Sequence, residues 1–164
     1  MSKRLGSWDF RSRPTGLWRA VLRAPVHLFR WHLGLPLGDR FALIDHVGRR
    51  TGRVHQVVVE VVDHDQAAGE YVVCSGTGPG ADWYRNLCAS ESPRIQVGST
   101  GWVPRQRLPD QQEAAERFRR YEAAHPTAAR RLLRSMGNGY DGTDAGRVAM
   151  MAEMPMVAFS DTPR

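Results

Sequence analysis

From residue 41 onward the chain alternates short apolar runs with turn residues. FALIDHV (41–47), VHQVVVEVV (54–62) and EYVVCS (70–75) are rich in β-branched side chains and predict three strands. HDQAAGE (64–70) supplies the turn between the second and third. GTGPGADWYRNLCAS (76–90) reads as a glycine loop opening a short helix, and RIQVG (94–98) and WVPRQRL (102–108) as two strands joined by Ser99, Thr100 and Gly101. Asp110 and Glu113 then form an Asp-x-x-Glu capping box for a helix reaching about residue 124, with Ala114, Phe118 and Tyr121 on its apolar face. TAARRLLRSM continues as a second helix into the turn NGYDG, and PMVAFS (155–160) closes the chain as a strand.

Before residue 41 the period is helical. Leu17, Trp18, Val21, Leu22, Leu28 and Phe29 repeat at one, three and four, interrupted by Pro25, while Arg19, Arg23 and Arg30 take another face. This predicts an amphipathic helix over 14–34, packed on the barrel, on a partner subunit or on a membrane surface. Residues 1–13 are polar, basic and expected to be flexible. Hairpin-linked strands with helices set apart predict an α+β, mainly β, antiparallel barrel-like fold, with residues 14–164 as one domain.

Composition sharpens this picture in two respects. The 41% hydrophobic and 24% charged residues are ordinary for a globular chain, with no stretch apolar enough to span a bilayer. No N-terminal apolar core with a cleavage site is present, and two cysteines make no disulfide framework, so a cytoplasmic protein is expected. The net charge of +6 is unevenly spread: residues 1–53 hold 11 Lys/Arg against Asp9, Asp39 and Asp45. That half should attract anions.

Candidate chemistry concentrates in two loops. VVCS-GTGPG-ADWYRNL superficially matches a dinucleotide fingerprint, but its glycines are spaced G-x-G-x-G and no acidic residue ends a second parallel strand, which argues against a Rossmann domain. Its backbone N–H groups still suit a phosphate. His46, His55 and His64 have no metal-ligand spacing, so no metal is expected. In Gly48-Arg49-Arg50-Thr51-Gly52, the glycines permit positive φ, the arginines offer planar donor forks and Thr51 adds a hydroxyl. Such a loop suits a phosphate or carboxylate tail, and equally a solvated basic turn. Nucleic acid is a weaker third choice, because no aromatic-studded strand accompanies the cations. Asn86 stands out in the second loop, since a buried amide needs polar partners such as the edge of a heterocycle.

Taken together, GRRTG and the later WYRNL (83–87) resemble the signature of the deazaflavin-dependent nitroreductase family, actinobacterial quinone and nitro reductases that use coenzyme F420. The similarity of pattern runs from about residue 35 to 160. It implies a split β-barrel of the FMN-binding kind, with helices at its sides. It also implies a cofactor whose phosphate and oligoglutamate tail lie toward Arg49, Arg50, Thr51 and Gly52. His55, Gln56, Val57 and Val58 would border the ring system, and Ser75, Gly76, Thr77, Trp83, Tyr84 and Asn86 its other edge. Ser75 is the first choice for a catalytic group near the reacting edge, with Trp18, Tyr121 and His125 as the wall for an apolar or aromatic acceptor. The expected reaction is hydride transfer from reduced coenzyme F420 to a nitro compound, quinone or unsaturated metabolite. A homodimer and a peripheral contact with the inner face of the membrane through the 14–34 helix are compatible expectations. The alternatives are an FMN-binding split-barrel reductase, a non-catalytic ligand carrier, and a basic nucleic-acid or membrane-surface module. The helix after Pro126 departs from the family pattern, in which tyrosines line the substrate site: none occurs here until Tyr140. The methionines Met150, Met151, Met154 and Met156 read first as core.

Overall fold

The computed structural model describes residues 35–135 and 140–163. The helix expected over 14–34, with Trp18, lies outside them. A 3-10 segment, Leu35–Arg40, leads into strands β1 (Phe41–Val47), β2 (Val54–Asp65) and β3 (Glu70–Cys74). Helix α1 (Asp82–Ala89) follows, then β4 (Arg94–Val97), β5 (Thr100–Trp102) and β6 (Gln106–Arg107). Helices α2 (Gln111–Ala124), α3 (Pro126–Ser135) and α4 (Asp144–Met150) precede the last strand, β7 (Met156–Ser160). All seven strands join one antiparallel sheet in the order β5-β4-β1-β2-β3-β7-β6, curled into the expected split β-barrel.

Alternation along the strands builds two cores. Val73, Val157 and Phe159 face the barrel interior with Ala42, Ile44, Ile95, Val97 and Trp102. Their neighbours Val72, Met156 and Ala158 face outward, where α2, α3 and α4 cover them with Phe118, Tyr121, Ala129 and Met150. Met151 and Met154 belong to this second cluster, so the methionines are packing residues. Cys74 sits against it as well, whereas Cys88 is exposed on α1 despite its apolar sequence neighbours.

Two expectations need correction. The strand anticipated over 102–108 is broken at Pro104, which has no N–H for a ladder. Its first residues extend β5, where Trp102 pairs with Ile95, and its later ones form β6 against β7. Helix α4 was not anticipated; it is capped by Thr143, whose Oγ1 accepts from the Gly146 N–H at 3.0 Å.

Strand β2 organises the barrel. Residues Phe41–Val47 of β1 pair with Val54–Glu60, whereas β3 pairs only with Val61–Asp65, with a bulge between Val61 and Asp63. The strand thus leaves one half of the barrel to enter the other. Its second edge from Val54 to Glu60 has no strand partner among the described residues.

Arg117 ties this framework together. At 5% side-chain exposure it reaches Asp63 at 3.0 Å, Glu70 at 2.9 Å and Glu113 at 2.8 Å, joining α2 to the β2–β3 hairpin. Arg107 shares Glu70 and Glu113, and Arg120 shares Asp63.

Candidate functional site

The GRRTG loop is the β1–β2 hairpin. Its base closes through Gly48 N–H on the Arg53 carbonyl and Gly52 N–H on the Gly48 carbonyl, both 2.8 Å. Gly52 takes φ +66°, where a side chain is strained. Gly48 must lack one for another reason: a Cβ there would lie 2.7 Å from Thr51 Oγ1 and 3.1 Å from His55 Nε2. Thr51 spends its N–H on the Gly48 carbonyl, and its hydroxyl accepts from the Arg53 N–H at 3.3 Å.

The two motif arginines differ. Arg49 turns toward α1, donating from its N–H (3.1 Å) and its Nη1 (2.9 Å) to Asn86 Oδ1, while Nη2 meets Asp82 at 3.0 Å. Arg50 is exposed, as is Arg53, and neither forms an ion pair among the described residues. Asn86 is 4% exposed and its Nδ2 donates to His46 Nδ1 at 3.0 Å. Burial first, and His55 second, push the His46 imidazole down to about 4, so it is neutral at physiological pH and free to accept that bond. The amide expected at a cofactor edge is therefore occupied by protein partners.

The second loop bridges the gap along β2. It leaves β3 beside Val61 and ends at Asp82, against the hairpin, so residues 75–81 span the stretch whose edge is open. Ser75 is 1% exposed; its N–H donates to the Pro155 carbonyl and its hydroxyl to the Gly78 carbonyl at 2.7 Å. The hydroxyl expected near the reacting edge thus gives its one proton to the turn, and its oxygen keeps lone pairs that can accept. The N–H groups of Gly76 and Thr77 have no partner among the described residues, and Thr77 is exposed. Helix α1 begins without a side-chain cap, and its positive end lies beside the hairpin. Trp83 and Tyr84 pack edge to face at 6.1 Å against the barrel core; burial pushes the Tyr84 hydroxyl up to about 12.

Alternation divides the segment 55–58. His55 stacks over His46 at 5.7 Å and Val57 packs on the barrel core, whereas Gln56 points to the other face and donates to Asp45 at 2.9 Å, with Val58 on that side opposite Leu43. One ligand cannot meet all four side chains. Along the edge without a strand partner among the described residues, the main chain of Gln56 and Val58 offers N–H and C=O groups that suit the polar edge of a ring, while those of His55 and Val57 pair with β1.

The expected acceptor wall also changes. Tyr121 is 2% exposed, donates to Glu60 at 3.1 Å and belongs to the helical core, with its hydroxyl pushed well above the tyrosine range by that burial. Its ring is buried among the described residues. His125 is exposed and lines a shallow groove with Arg40, Pro126 and Arg131 at the α2–α3 junction. Leu132 of α3 borders the glycine loop instead: its Cδ1 lies 2.9 Å from where a Cβ on Gly76 would be. Sequence reasoning passed over Leu132, Asp82 and His46. For His46 a signal existed, since alternation with Ala42 and Ile44 aims it inward.

The residues present fit a flavin-type ligand with a long anionic tail. Among the described residues, a strand edge without a partner, the N–H groups of Gly76 and Thr77 and two arginines without a carboxylate would suit a ring carrying an anionic group. Among the described residues no group of three His, Cys, Asp or Glu could hold a metal ion, and no helix is long and apolar enough to cross a membrane.

Comparison with known proteins places the fold. No family model matches the chain, and no curated protein matches it. Among solved structures, an F420-H2 dependent reductase is similar with a TM-score of 0.50 at 17% identity, over 75% of this chain and 96% of that one. A protein described as a domain-swapped dimer is similar with a TM-score of 0.49 at 17% identity, over 84% and 100%. A pyridoxamine 5'-phosphate oxidase-related, FMN-binding protein from Nostoc punctiforme gives 0.45 at 12% identity, over 89% and 81%. The first of these supports the split-barrel fold.

Proposed function

We propose that this chain is a deazaflavin-dependent oxidoreductase that passes a hydride from reduced coenzyme F420 to an apolar or aromatic acceptor. One observation carries the reading: the unpaired edge of β2 from Val54 to Glu60 ends at a hairpin whose Arg50 and Arg53 have no carboxylate partner among the described residues. A strand edge suits the ring, and two free guanidinium groups suit a phosphate followed by glutamates better than they suit the single phosphate of FMN.

When bound, the deazaflavin supplies the hydride. The protein's part is positioning and exclusion of water. The outward main-chain groups of Gln56 and Val58 suit one ring edge, the Gly76 and Thr77 N–H groups suit the other, and the first turn of α1 adds a positive end. Leu132, half-buried over Gly76, forms an apolar wall for the acceptor. With the Ser75 hydroxyl closed on Gly78, a hydrogen bond to charge developing on the acceptor falls to Thr77 or to a loop N–H.

Fluorescence titration of the protein with oxidised coenzyme F420 and, separately, FMN tests this reading. Saturable binding of the deazaflavin, tighter than that of FMN, is expected, together with acceptor-dependent oxidation of the reduced coenzyme by a quinone or nitroaromatic. Binding of FMN alone assigns the groove to a flavin. Binding of neither ends the cofactor assignment, and binding without turnover on any acceptor would make the chain a carrier.

A further inference from the structure

Motif reading gives Arg49 to the ligand tail, but its contacts give it to the protein. Both of its terminal nitrogens are engaged, one on Asn86 and one on Asp82, and its charge is balanced by the carboxylate 3.0 Å away. Asn86 is equally committed: its oxygen accepts twice from Arg49 and its nitrogen donates to His46. The amide has one workable orientation. Reversed, its NH2 would confront the Arg49 N–H and guanidinium, and its oxygen would face the lone pair of His46 Nδ1. A neutral His46 with its proton on Nε2 therefore sets the orientation of Asn86, and Asn86 sets the position of the hairpin.

We infer that Arg49, Asn86 and His46 form a clamp that holds the β1–β2 hairpin against α1, leaving Arg50 and Arg53 to take the anionic tail of the ligand. This division of labour rests on the deazaflavin reading for its second half only. The clamp joins residues 40 positions apart, from β1 and α1, and its hydrogen bonds are all internal to the protein. Arg49 and Asn86 act as positioning residues. A loop fixed before the ligand arrives loses less freedom on binding, so the same cations hold the ligand more tightly.

Two measurements test the inference. The first is binding of oxidised coenzyme F420 by fluorescence, at several salt concentrations, for the full chain and for R49Q, R50Q and R53Q. R50Q and R53Q should each weaken binding about tenfold and flatten the dependence of affinity on salt, since each removes an uncompensated charge. R49Q should weaken binding while keeping the salt dependence of the unmodified protein. If R49Q flattens it as much as R50Q does, Arg49 touches the tail and the division fails. The same assay compares N86L with N86D. The aspartate can accept from Arg49 and from a His46 tautomer protonated on Nδ1, so N86D should recover most of the affinity lost in N86L. Equal loss in both overturns the clamp. The second measurement needs no ligand: amide hydrogen exchange across residues 48–53. R49Q and N86L should speed exchange there, and R50Q should leave it unchanged. Unchanged exchange in R49Q and in N86L also overturns the clamp. A chain that binds no deazaflavin yet shows this exchange pattern loses the cofactor assignment and the tail role of Arg50 and Arg53, and keeps the clamp.

Discussion

Two arginine clusters of this chain look alike in sequence and behave oppositely. Around Arg117, three arginines meet Asp63, Asp65, Glu70 and Glu113 at distances of 2.6–3.6 Å, and the central guanidinium is buried. At the β1–β2 hairpin, Arg49 alone is answered by a carboxylate, and Arg50 and Arg53 stand exposed without one among the described residues. The first cluster holds elements together; the second has charge left over. Net charge does not separate an arginine held in a salt-bridge network from one left without a carboxylate. The count of carboxylates within reach does.

The largest effect that tests this contrast lies in the buried cluster. R117M should cost about 3–5 kcal/mol, because Asp63, Glu70 and Glu113 lose a shared partner in a half-dry setting. Urea unfolding of R117M beside R50Q should show it, with R50Q within ~0.5 kcal/mol of the unmodified protein. A loss below ~1 kcal/mol in R117M would erase the distinction.

Acid should then reach the two regions in different windows. The folded-state value of His46 lies below its ordinary 6.5, so below that pH the unfolded chain binds the extra proton more readily. Stability from this group is complete above pH 6.5 and lost as pH falls to about 4, by at most ~3 kcal/mol. Glu113 is held down to about 2, chiefly by its hydrogen bonds with Arg107 and also by Arg117; its contribution is complete above its ordinary 4.5 and is lost only as pH falls toward 2. Unfolding midpoints from pH 7 to 3, with the imidazole followed by NMR, should show the hairpin side loosening first. An imidazole titrating near 6.5 in the folded protein would contradict the burial argument.

The double variant R50Q/R53Q should weaken deazaflavin binding by ~2–3 kcal/mol, two charge-assisted contacts, with no change in thermal midpoint beyond about a degree or two. The smallest effect is G52A, about 1 kcal/mol from the left-handed backbone, read by thermal unfolding. Its affinity should fall less than that of the double variant.

Much of the fold was legible because the strands carry their own signal. Residues 41–44 and 47 are apolar in a run bounded by turn formers, and the β1 boundaries match the sequence pattern to the residue. Local chemistry was legible too: Asp110 caps α2 by accepting from the Glu113 N–H at 2.8 Å, although the Glu113 carboxylate serves Arg107 and Arg117. What failed was mid-range. The run 102–108 reads as one strand only if Pro104 is ignored, and α4 is too short for periodicity to reveal. In the site, the loops were recognisable by glycine, arginine and aromatic content. The commitments of Asn86, Ser75 and Tyr121 were not, because their partners lie on other elements or in turn geometry that composition does not encode.

The open edge of β2 has a consequence for handling the protein. Among the described residues, Val54, Gln56, Val58 and Glu60 turn their main-chain N–H and C=O groups to an edge without a strand partner, a row that suits pairing with an extended segment. A ligand lying along it would act as the missing neighbour. Where nothing lies along it, this edge favours edge-to-edge association, so colloidal behaviour should depend on what occupies it as much as on temperature.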